Sequence, residues 1–441
     1  MSLLSKHLIA AFATSFAFVC AAVSPAWAEI DIQEVTSPDG ITAWLVEEHN
    51  IPFVALELRF AGGGSLDVPG KRGAVALMVA TLEEGAADMD AQGFAQASEA
   101  LAASFRYDLG DDAVSVSAKF LTENRDDSLA LLRASLIEPT FETGAVDRVR
   151  RQILSSLRSD LKDPEKIASR AFDRLAFGDH PYATDYQGTL ESMAALTRED
   201  IIAAHKGALA KDRLFVSAVG DITPEELAQV LDDLLGDLPQ TGREMPGPAG
   251  FALEGGKTII DFETPQSVAL FGHRGIDRQS PDFFAAYLLN VILGGGGFDS
   301  RLMEEVREKR GLTYGVGSYL VNKDHAALYI GQVASANDRI AQAVQVIRDE
   351  WARAAKDGLS PEELAKAKTY LTGGYPLRFD GNGPIANILV GMQMDGLERD
   401  YIKTRNARVE AVTLEDVNRV AAELLQPDAL HFVIVGQPEG L

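Results

Sequence analysis

The residue types that could perform chemistry in this chain are few and widely spaced. Zinc sites on a helix use two imidazoles three or four residues apart, and zinc peptidases add a nearby glutamate as general base. No two histidines here have that spacing, so each is interpreted as structural or solvated. His180, which precedes Pro181, is assigned to a turn. The histidines are His7, His49, His180, His205, His273, His325 and His431.

Two other catalytic patterns are also absent. The segment Gly256-Lys257-Thr258 ends like a phosphate-binding loop, but Phe251 occupies the position at which that loop requires its first glycine. The chain contains no G-x-S-x-G sequence and so lacks the nucleophile elbow of a serine hydrolase. Neither phosphoryl transfer nor serine-type hydrolysis is indicated.

Several segments nevertheless resemble one enzyme family in order and approximate spacing. They resemble the pitrilysin/insulinase-type (M16) metallopeptidases, specifically the bacterial and mitochondrial-processing-peptidase-like branch, and together they cover most of the chain. The segments are FAGGGSLDVPGKRGA from Phe60, GAVALMVATLEEG from Gly73, GDHPYATDYQGT from Gly178, LFVSAVGD from Leu214 and GGGGFDSRLMEEVREKRGLTYGVGS from Gly294.

The resemblance locates a zinc site from which every ligand is missing. The family's catalytic helix carries H-x-x-E-H, and a later helix supplies a glutamate as third ligand. Here Ala76 and Ala80 stand at the histidine positions, Val79 stands at the glutamate, and Ser155 or Ser156 stands at the third ligand. None of these side chains is a zinc ligand. We therefore expect no metal, no cofactor and no catalytic residue in this chain.

The second half of the chain carries a different part of the resemblance. In active two-chain members one chain binds zinc, and the other supplies an arginine and a tyrosine that hold the substrate backbone. The matching residues are Arg307 and Tyr314. An arginine can clamp a carbonyl, and a tyrosine can donate to a developing oxyanion. The alternative is that Arg307 pairs with Glu304 or Glu308 while Tyr314 fills a core position; the family context favours substrate binding.

Four consecutive glycines, Gly294, Gly295, Gly296 and Gly297, resemble the family's glycine-rich segment in its short form. The longer loop of the mitochondrial substrate-recognising chain is absent, which argues against presequence recognition. The glycines either form a substrate-binding loop or only allow close backbone approach in a tight connection.

The first residues have the pattern of an export signal. Lys6 precedes an apolar run, and Ala26-Trp27-Ala28 is a small-x-small cleavage site. We therefore expect a signal peptide at residues 1–28, a periplasmic location and no membrane span after cleavage, because the apolar run is short. The only cysteine, Cys20, would be removed with this segment. The mature chain would then need no disulfide.

The charge balance restricts the partners. The chain has 41 lysines and arginines against 65 aspartates and glutamates, a formal net charge of −24. Nucleic acids are bound by basic patches, so a nucleic-acid partner is not expected. A basic peptide would be attracted, although the acidity also serves solubility.

A faint internal repeat divides the chain. The 26 residues LTREDIIAAHKGALAKDRLFVSAVGD, from Leu196, align without a gap to VTLEDVNRVAAELLQPDALHFVIVGQ, from Val412. Earlier, Val54-Ala55-Leu56 pairs with Val268-Ala269-Leu270 at nearly the same offset. We infer two similar halves, residues 29–240 and 253–441, joined by a linker rich in proline and glycine at residues 241–252.

Each half mixes strand and helix signals. Residues 113–121 alternate in strand fashion, and helices are predicted to begin after Thr223 and Ser360, each followed by proline and a glutamate three positions on. The predicted fold class is α+β. The resemblance implies two α/β-layered domains in each half and a pair of chains that closes around a cavity.

We hypothesise from these patterns a non-catalytic, substrate-binding partner subunit of an exported, heterodimeric zinc metallopeptidase acting on peptides. The zinc would belong to a separate chain with H-x-x-E-H, to which Arg307 and Tyr314 would present the peptide. The alternative is a structural or peptide-binding scaffold without a proteolytic role, as in the core subunits of respiratory cytochrome complexes. A self-sufficient metallopeptidase is disfavoured by the missing ligands.

Overall fold

The computed structural model describes residues 30–441, in which two mixed β-sheets are covered by helices. The predicted signal peptide and Cys20 lie outside the described residues. The first sheet has the order β1-β2-β8-β3-β7-β6 and the second β11-β12-β10-β13-β9, while β4 and β5 form a short hairpin. The strands are β1 (Gln33–Thr36), β2 (Thr42–Glu47), β3 (Phe53–Ala61), β4 (Gly85–Ala86), β5 (Met89–Asp90), β6 (Ser104–Leu109), β7 (Ala113–Leu121), β8 (Leu214–Gly220), β9 (Gly256–Asp261), β10 (Gln266–Arg274), β11 (Val316–Lys323), β12 (Ala326–Ala336) and β13 (His431–Gly436).

The α-helices follow the strands in both halves, which confirms the predicted α+β class. Two π-helical stretches, Val291–Gly295 and Met303–Glu308, lie in the second half. The α-helices are α1 (Ala74–Val79), α2 (Ala91–Ala100), α3 (Arg125–Ile137), α4 (Thr143–Asp160), α5 (Pro164–Phe177), α6 (Leu190–Ala195), α7 (Arg198–Ala208), α8 (Pro224–Leu235), α9 (Phe283–Asn290), α10 (Ile340–Asp357), α11 (Pro361–Gly374), α12 (Asn382–Met394), α13 (Tyr401–Ala411) and α14 (Leu414–Leu424).

The two predicted helix starts are confirmed. Thr223 accepts a hydrogen bond from the backbone N–H of Glu226, whose side chain reaches back to the Thr223 backbone, and Ser360 and Glu363 form the same capping box. Each helix has proline at its first position, where the missing N–H costs nothing. The strand predicted at residues 113–121 is β7.

The predicted repeat is present in three dimensions. Thr197 and Thr413 cap α7 and α14 with matching capping boxes. Each helix leads into a buried strand, β8 or β13, which ends at a glycine with φ of 142° (Gly220) or 149° (Gly436). Five strands of the two sheets correspond in order and direction, because β2 pairs in parallel with β8 as β9 does with β13. The halves are therefore structural copies.

The predicted pairing of Val54 with Val268 is wrong by one residue. In the first sheet Ala55 lies opposite Val219, whereas in the second Val268 lies opposite Val435. Since Val435 is the counterpart of Val219 in the 26-residue repeat, Val268 is the counterpart of Ala55. A one-residue shift turns every side chain of a strand to the other face of the sheet. The predicted pairing would therefore place side chains of the two strands on opposite faces.

The halves exchange helices. On one face, each sheet packs against helices of its own half and forms a large core. On the other face, the second sheet is covered by α5, through Ala168 and Phe172, which pack against Val433. Conversely, the first sheet is covered by α12, whose Leu389 packs near Ala55. Neither sheet is enclosed by its own half alone.

The segment between the halves has no regular secondary structure but is attached along its length. The backbone N–H of Arg243 donates to the Gly207 carbonyl at 2.9 Å, and that of Ala252 donates to the Ala176 carbonyl at 2.8 Å. Phe251 contacts Phe177 edge to face. These contacts tie the segment to the first half. Among residues 30–441, no helix is both long and apolar enough to cross a bilayer.

Candidate functional site

The helix α1 is fixed at its start by a buried carboxylate. Asp67 accepts hydrogen bonds from the backbone N–H groups of Gly73, at 2.6 Å, and Val75, at 2.9 Å. Arg72 lies 3.8 Å from the same carboxylate. Burial raises the pKa of Asp67 to about 6, although the two N–H donors and Arg72 oppose that shift. Gly73 has a φ of 94°, which favours glycine at this entry to the helix.

The positions that match zinc ligands carry no metal-binding group in the folded chain. On α1, Ala76 and Val79 are 7% and 5% exposed, while Ala80, at the end of the helix, is exposed. Ser155 and Ser156 are exposed on α4, which packs against α1. Within residues 30–441, no three side chains of His, Cys, Asp or Glu come together as a metal site.

The histidines of the described chain are engaged elsewhere. The ring of His205 contacts the Leu136 carbonyl at 2.8 Å, and His273 accepts a hydrogen bond from the indole N–H of Trp351 at 2.9 Å. Burial lowers the pKa of both imidazoles. His180 caps the short turn Pro181–Ala183, as predicted. These contacts agree with structural roles.

A cavity of about 580 Å³ lies next to the degenerate zinc position and between the two halves. Ser156 lines it from α4, and Val268 and Ile330 line it from the second sheet. Burial raises the pKa of Asp173, in its wall, to about 7, although the charge of Lys323 opposes that shift. The cavity can accommodate a ligand, and its wall also contains Ser169, whose side chain hydrogen-bonds to Asp173.

Arg307 and Tyr314 are placed at the surface of the second half. Arg307 lies in the π-helical stretch Met303–Glu308, with its guanidinium 4.7 Å from the centre of the Phe298 ring and 3.7 Å from Glu308. Its side chain is 33% exposed. Tyr314 is 88% exposed, so the alternative that it fills a core position is wrong. Within residues 30–441 its hydroxyl has no hydrogen-bond partner and remains available to a ligand.

Few contacts restrain the side chains of Arg307 and Tyr314, and the neighbouring residues bond mainly to other groups. Glu304 pairs with Lys309 at 2.9 Å rather than with Arg307, so only the predicted alternative pairing with Glu308 is observed. Next to Tyr314, the hydroxyl of Thr313 donates to the Ala334 carbonyl at 2.7 Å. That bond anchors the segment which enters β11.

The structure requires glycine at these four positions for two different reasons. A Cβ on Gly294 would overlap Ser318, one on Gly295 would lie 2.5 Å from Asn290, and one on Gly296 would lie 2.6 Å from the Val291 carbonyl oxygen. These three therefore allow the close backbone approach that was one interpretation of the run. Gly297 instead has open space and a φ of 64°.

The turn that follows the glycines presents Phe298, which is 69% exposed and contacts Arg307. Sequence reasoning did not identify Phe298 as a partner of Arg307. An aromatic residue directly after four glycines is the one signal that could have drawn attention to it. The structure thus brings Arg307, Tyr314 and the end of the glycine run to the surface, with their binding role still a prediction.

Comparisons with known proteins find similarity to proteins of the M16 family. A family model described as "Peptidase M16 inactive domain" matches residues 195–371. The chain is 27% identical over 394 residues to the non-peptidase homologue YmxG of Helicobacter pylori, covering 88% of this chain and 90% of that protein. It is also 30% identical to an uncharacterised zinc protease of Mycobacterium leprae, over 64% of each chain.

Two solved structures share the fold. A crystal structure of a peptidase M16 inactive domain from Pseudomonas fluorescens superposes with a TM-score of 0.87 at 29% identity, over 93% of this chain and 98% of that chain. A protease from Helicobacter pylori superposes with a TM-score of 0.83, over 92% and 99%. At 16% identity, the second likeness concerns the fold alone.

Proposed function

The chain belongs to the M16 peptidase family as a non-catalytic member, and on that premise we propose that it is the substrate-binding partner subunit of an exported, heterodimeric zinc peptidase that acts on peptides. The zinc would be held by a second family member with an intact H-x-x-E-H motif. In this chain the matching positions, Ala76, Val79 and Ala80, carry no side chain that binds zinc.

The observation that carries this proposal is the placement of Arg307 and Tyr314. A tyrosine that is 88% exposed and has no partner within the described residues has no structural task. In the proposed complex its hydroxyl donates a hydrogen bond to the oxyanion that forms on the peptide carbonyl, while Arg307 binds a neighbouring carbonyl oxygen. Stacking on Phe298 limits the positions of the guanidinium before the substrate arrives.

The test is steady-state peptide hydrolysis by the complex of this chain with the H-x-x-E-H family member of the same organism. Tyr314→Phe should lower kcat about a hundredfold, the usual cost of one oxyanion donor, without preventing assembly. Arg307→Ala should raise KM as well as lower kcat, because a backbone clamp acts in both ground and transition states. Light scattering checks assembly in each case.

Tyr319→Phe is the matched control, since Tyr319 is a second tyrosine at the surface and is 50% exposed on β11. It should behave as the wild type. If Tyr314→Phe and Arg307→Ala also retain wild-type kinetics, the two residues do not bind substrate. The alternative of a structural or peptide-binding scaffold without proteolysis would then be preferred.

The proposed export of the chain rests on a different observation, the signal-like pattern of residues 1–28. Cell fractionation should place the protein in the periplasm, with Glu29 as the first residue of the mature chain. Recovery of the uncleaved chain from the cytoplasm would refute this part of the proposal and leave the role of Arg307 and Tyr314 to be judged separately.

A further inference from the structure

A second large cavity lies away from both the degenerate zinc position and the surface that carries Arg307 and Tyr314. Its volume is about 1010 Å³, and it opens between the first sheet and helices of the second half. Val46 and Val219 line it from β2 and β8, and Phe379, Ile385 and Ile402 line it from the opposite side. None of the zinc-equivalent positions, Arg307 or Tyr314 contributes to its wall. The cavity is thus a mainly apolar groove at the junction of the halves.

One wall of this cavity contains a buried polar group without a partner. Asn382, the first residue of α12, is 6% exposed, and its side-chain Nδ2 has no hydrogen-bond acceptor within residues 30–441. Nearly all buried donors in proteins are satisfied, and an unsatisfied one is destabilising. An amide that lines a cavity and lacks an acceptor therefore indicates that a ligand supplies one.

The start of α12 adds further donors at the same place. Gly381 precedes the helix with a φ of 90°, and no side chain caps it. The first N–H groups of an uncapped helix are unsatisfied by the helix itself. A Cβ on Gly383 would meet nothing within 4 Å, so the approach to this end of α12 is open. The local chemistry therefore suits an oxygen acceptor.

The charges at the rim decide between an anionic acceptor and a neutral one. Asp31, Glu47, Glu48 and Asp380 line the cavity, against a single lysine, Lys403. Glu47 and Glu48 already accept hydrogen bonds from neighbouring side chains, whereas Asp31 and Asp380 form no ion pair with a residue of the described chain. Four carboxylates disfavour an anion and attract a cation. A ligand with a neutral carbonyl oxygen and a nearby basic group meets both requirements. The oxygen can accept a hydrogen bond from Asn382, and the basic group can pair with the carboxylates.

We propose that this cavity binds an extended, basic and apolar peptide segment. A large apolar side chain packs between Val46 and Ile402, a backbone carbonyl accepts a hydrogen bond from Asn382 Nδ2, and flanking lysine or arginine side chains pair with Asp31 and Asp380. This site is independent of the role proposed for Arg307 and Tyr314, and it would make the chain a peptide-binding protein through a second surface.

The probe is the peptide Lys-Leu-Lys-Leu-Lys-amide with fluorescein on its N-terminal amine, and the control is Glu-Leu-Glu-Leu-Glu-amide labelled in the same way. Fluorescence anisotropy with the purified chain should show saturable binding of the lysine peptide only. Asp380→Asn should weaken binding about fivefold at low ionic strength and by less at about 1 M salt, because exposed charges are screened. Asp88→Asn, at an exposed turn outside the cavity, should have no effect.

Asn382→Leu separates a binding role from a structural one. It removes a donor that has no partner in the described chain, so the melting temperature should be unchanged or higher, while peptide binding weakens about fivefold. A lower melting temperature with unchanged binding would make Asn382 structural and overturn the proposal. Equal binding of the lysine and glutamate peptides would overturn it as well.

Two other occupants of the cavity are distinguished by the same measurements. If light scattering shows a dimer that Asp380→Asn dissociates, a second copy of this chain covers the cavity. If the lysine peptide binds only after removal of residues 1–28, the chain's own N-terminal segment occupies it. Either result would refute the proposal of a peptide from outside the chain.

Discussion

Restoring the zinc motif on α1 tests whether the missing ligands are the only obstacle to catalysis. The variant carries Ala76→His, Val79→Glu and Ala80→His. Val79 is 5% exposed, so its replacement loses about 1.5–3 kcal/mol of apolar burial and places a carboxyl group where desolvation costs about 1–3 kcal/mol more. A histidine at Ala76, 7% exposed, overpacks the same region at a cost of about 1–3 kcal/mol.

We therefore expect the free energy of unfolding to fall by about 3.5–9 kcal/mol. That is a large part of the about 5–15 kcal/mol typical of a folded domain. Urea denaturation followed by circular dichroism measures this loss. Ala80→His alone is the matched control, because Ala80 is exposed, and it should change stability by less than about 0.5 kcal/mol.

Zinc should not rescue the triple variant, because Ser155 and Ser156 leave the third ligand position empty and no second shell orients the new histidines. The same denaturation is repeated with zinc, together with a peptide hydrolysis assay. Wild-type stability, or zinc-dependent turnover by the triple variant alone, would refute the reasoning and show that the scaffold still contains a nearly complete site. Adding Ser155→Glu or Ser156→Glu then shows whether either serine is the third ligand position.

Three further predictions concern the chain itself. Elemental analysis of the purified protein should find no stoichiometric zinc, and about one tightly held ion per chain would contradict the empty site. Because the pKa of Asp67 is raised to about 6, the folded chain keeps a proton at pH values where the unfolded chain has lost it, so stability falls as pH rises between about 4 and 6. Over that interval the wild type should lose up to about 3 kcal/mol relative to Asp67→Asn in urea titrations, and parallel pH profiles would contradict this. Gly294→Ala should lower the free energy of unfolding by about 2 kcal/mol or more, because the new Cβ would lie 2.7 Å from the Ser318 backbone nitrogen. Gly315→Ala is the control and should be nearly neutral, because Gly315 has open space around it. Equal effects of the two substitutions would show that crowding does not explain the glycine at position 294.

The features that the sequence predicted correctly are those encoded within a few residues. The capping boxes at Thr223 and Ser360, and the repeat that contains Thr197 and Thr413, depend on side chains that bond to their own backbone three positions away. The fold class follows from the same local signals. The segment Val54-Ala55-Leu56 was aligned wrongly because all three residues are apolar, so their composition does not distinguish the two faces of the strand.

The exchange of α5 and α12 could not be predicted from the sequence. An amphipathic pattern shows that a helix buries one face, but it does not show which sheet covers that face. The same limit applies to the candidate sites. Phe298 and Arg307 meet because a π-helical stretch follows a tight turn, and Asn382 is distinctive only because its buried amide has no partner in the described structure. Tyr314 was predicted by family resemblance, and its exposure was a separate finding.

The exchange of α5 and α12 also constrains how the chain reaches its native state. While it is being synthesised, the first sheet can form only with one bare apolar face, because the helix that covers Ala55 and Val219 has not yet left the ribosome. The α5 helix likewise has no sheet to pack against until β10 and β13 are made. Exposed apolar faces promote aggregation, so we expect the nascent chain to be prone to aggregation until its last strand is complete. Separately expressed halves should recover soluble structure only when they are mixed.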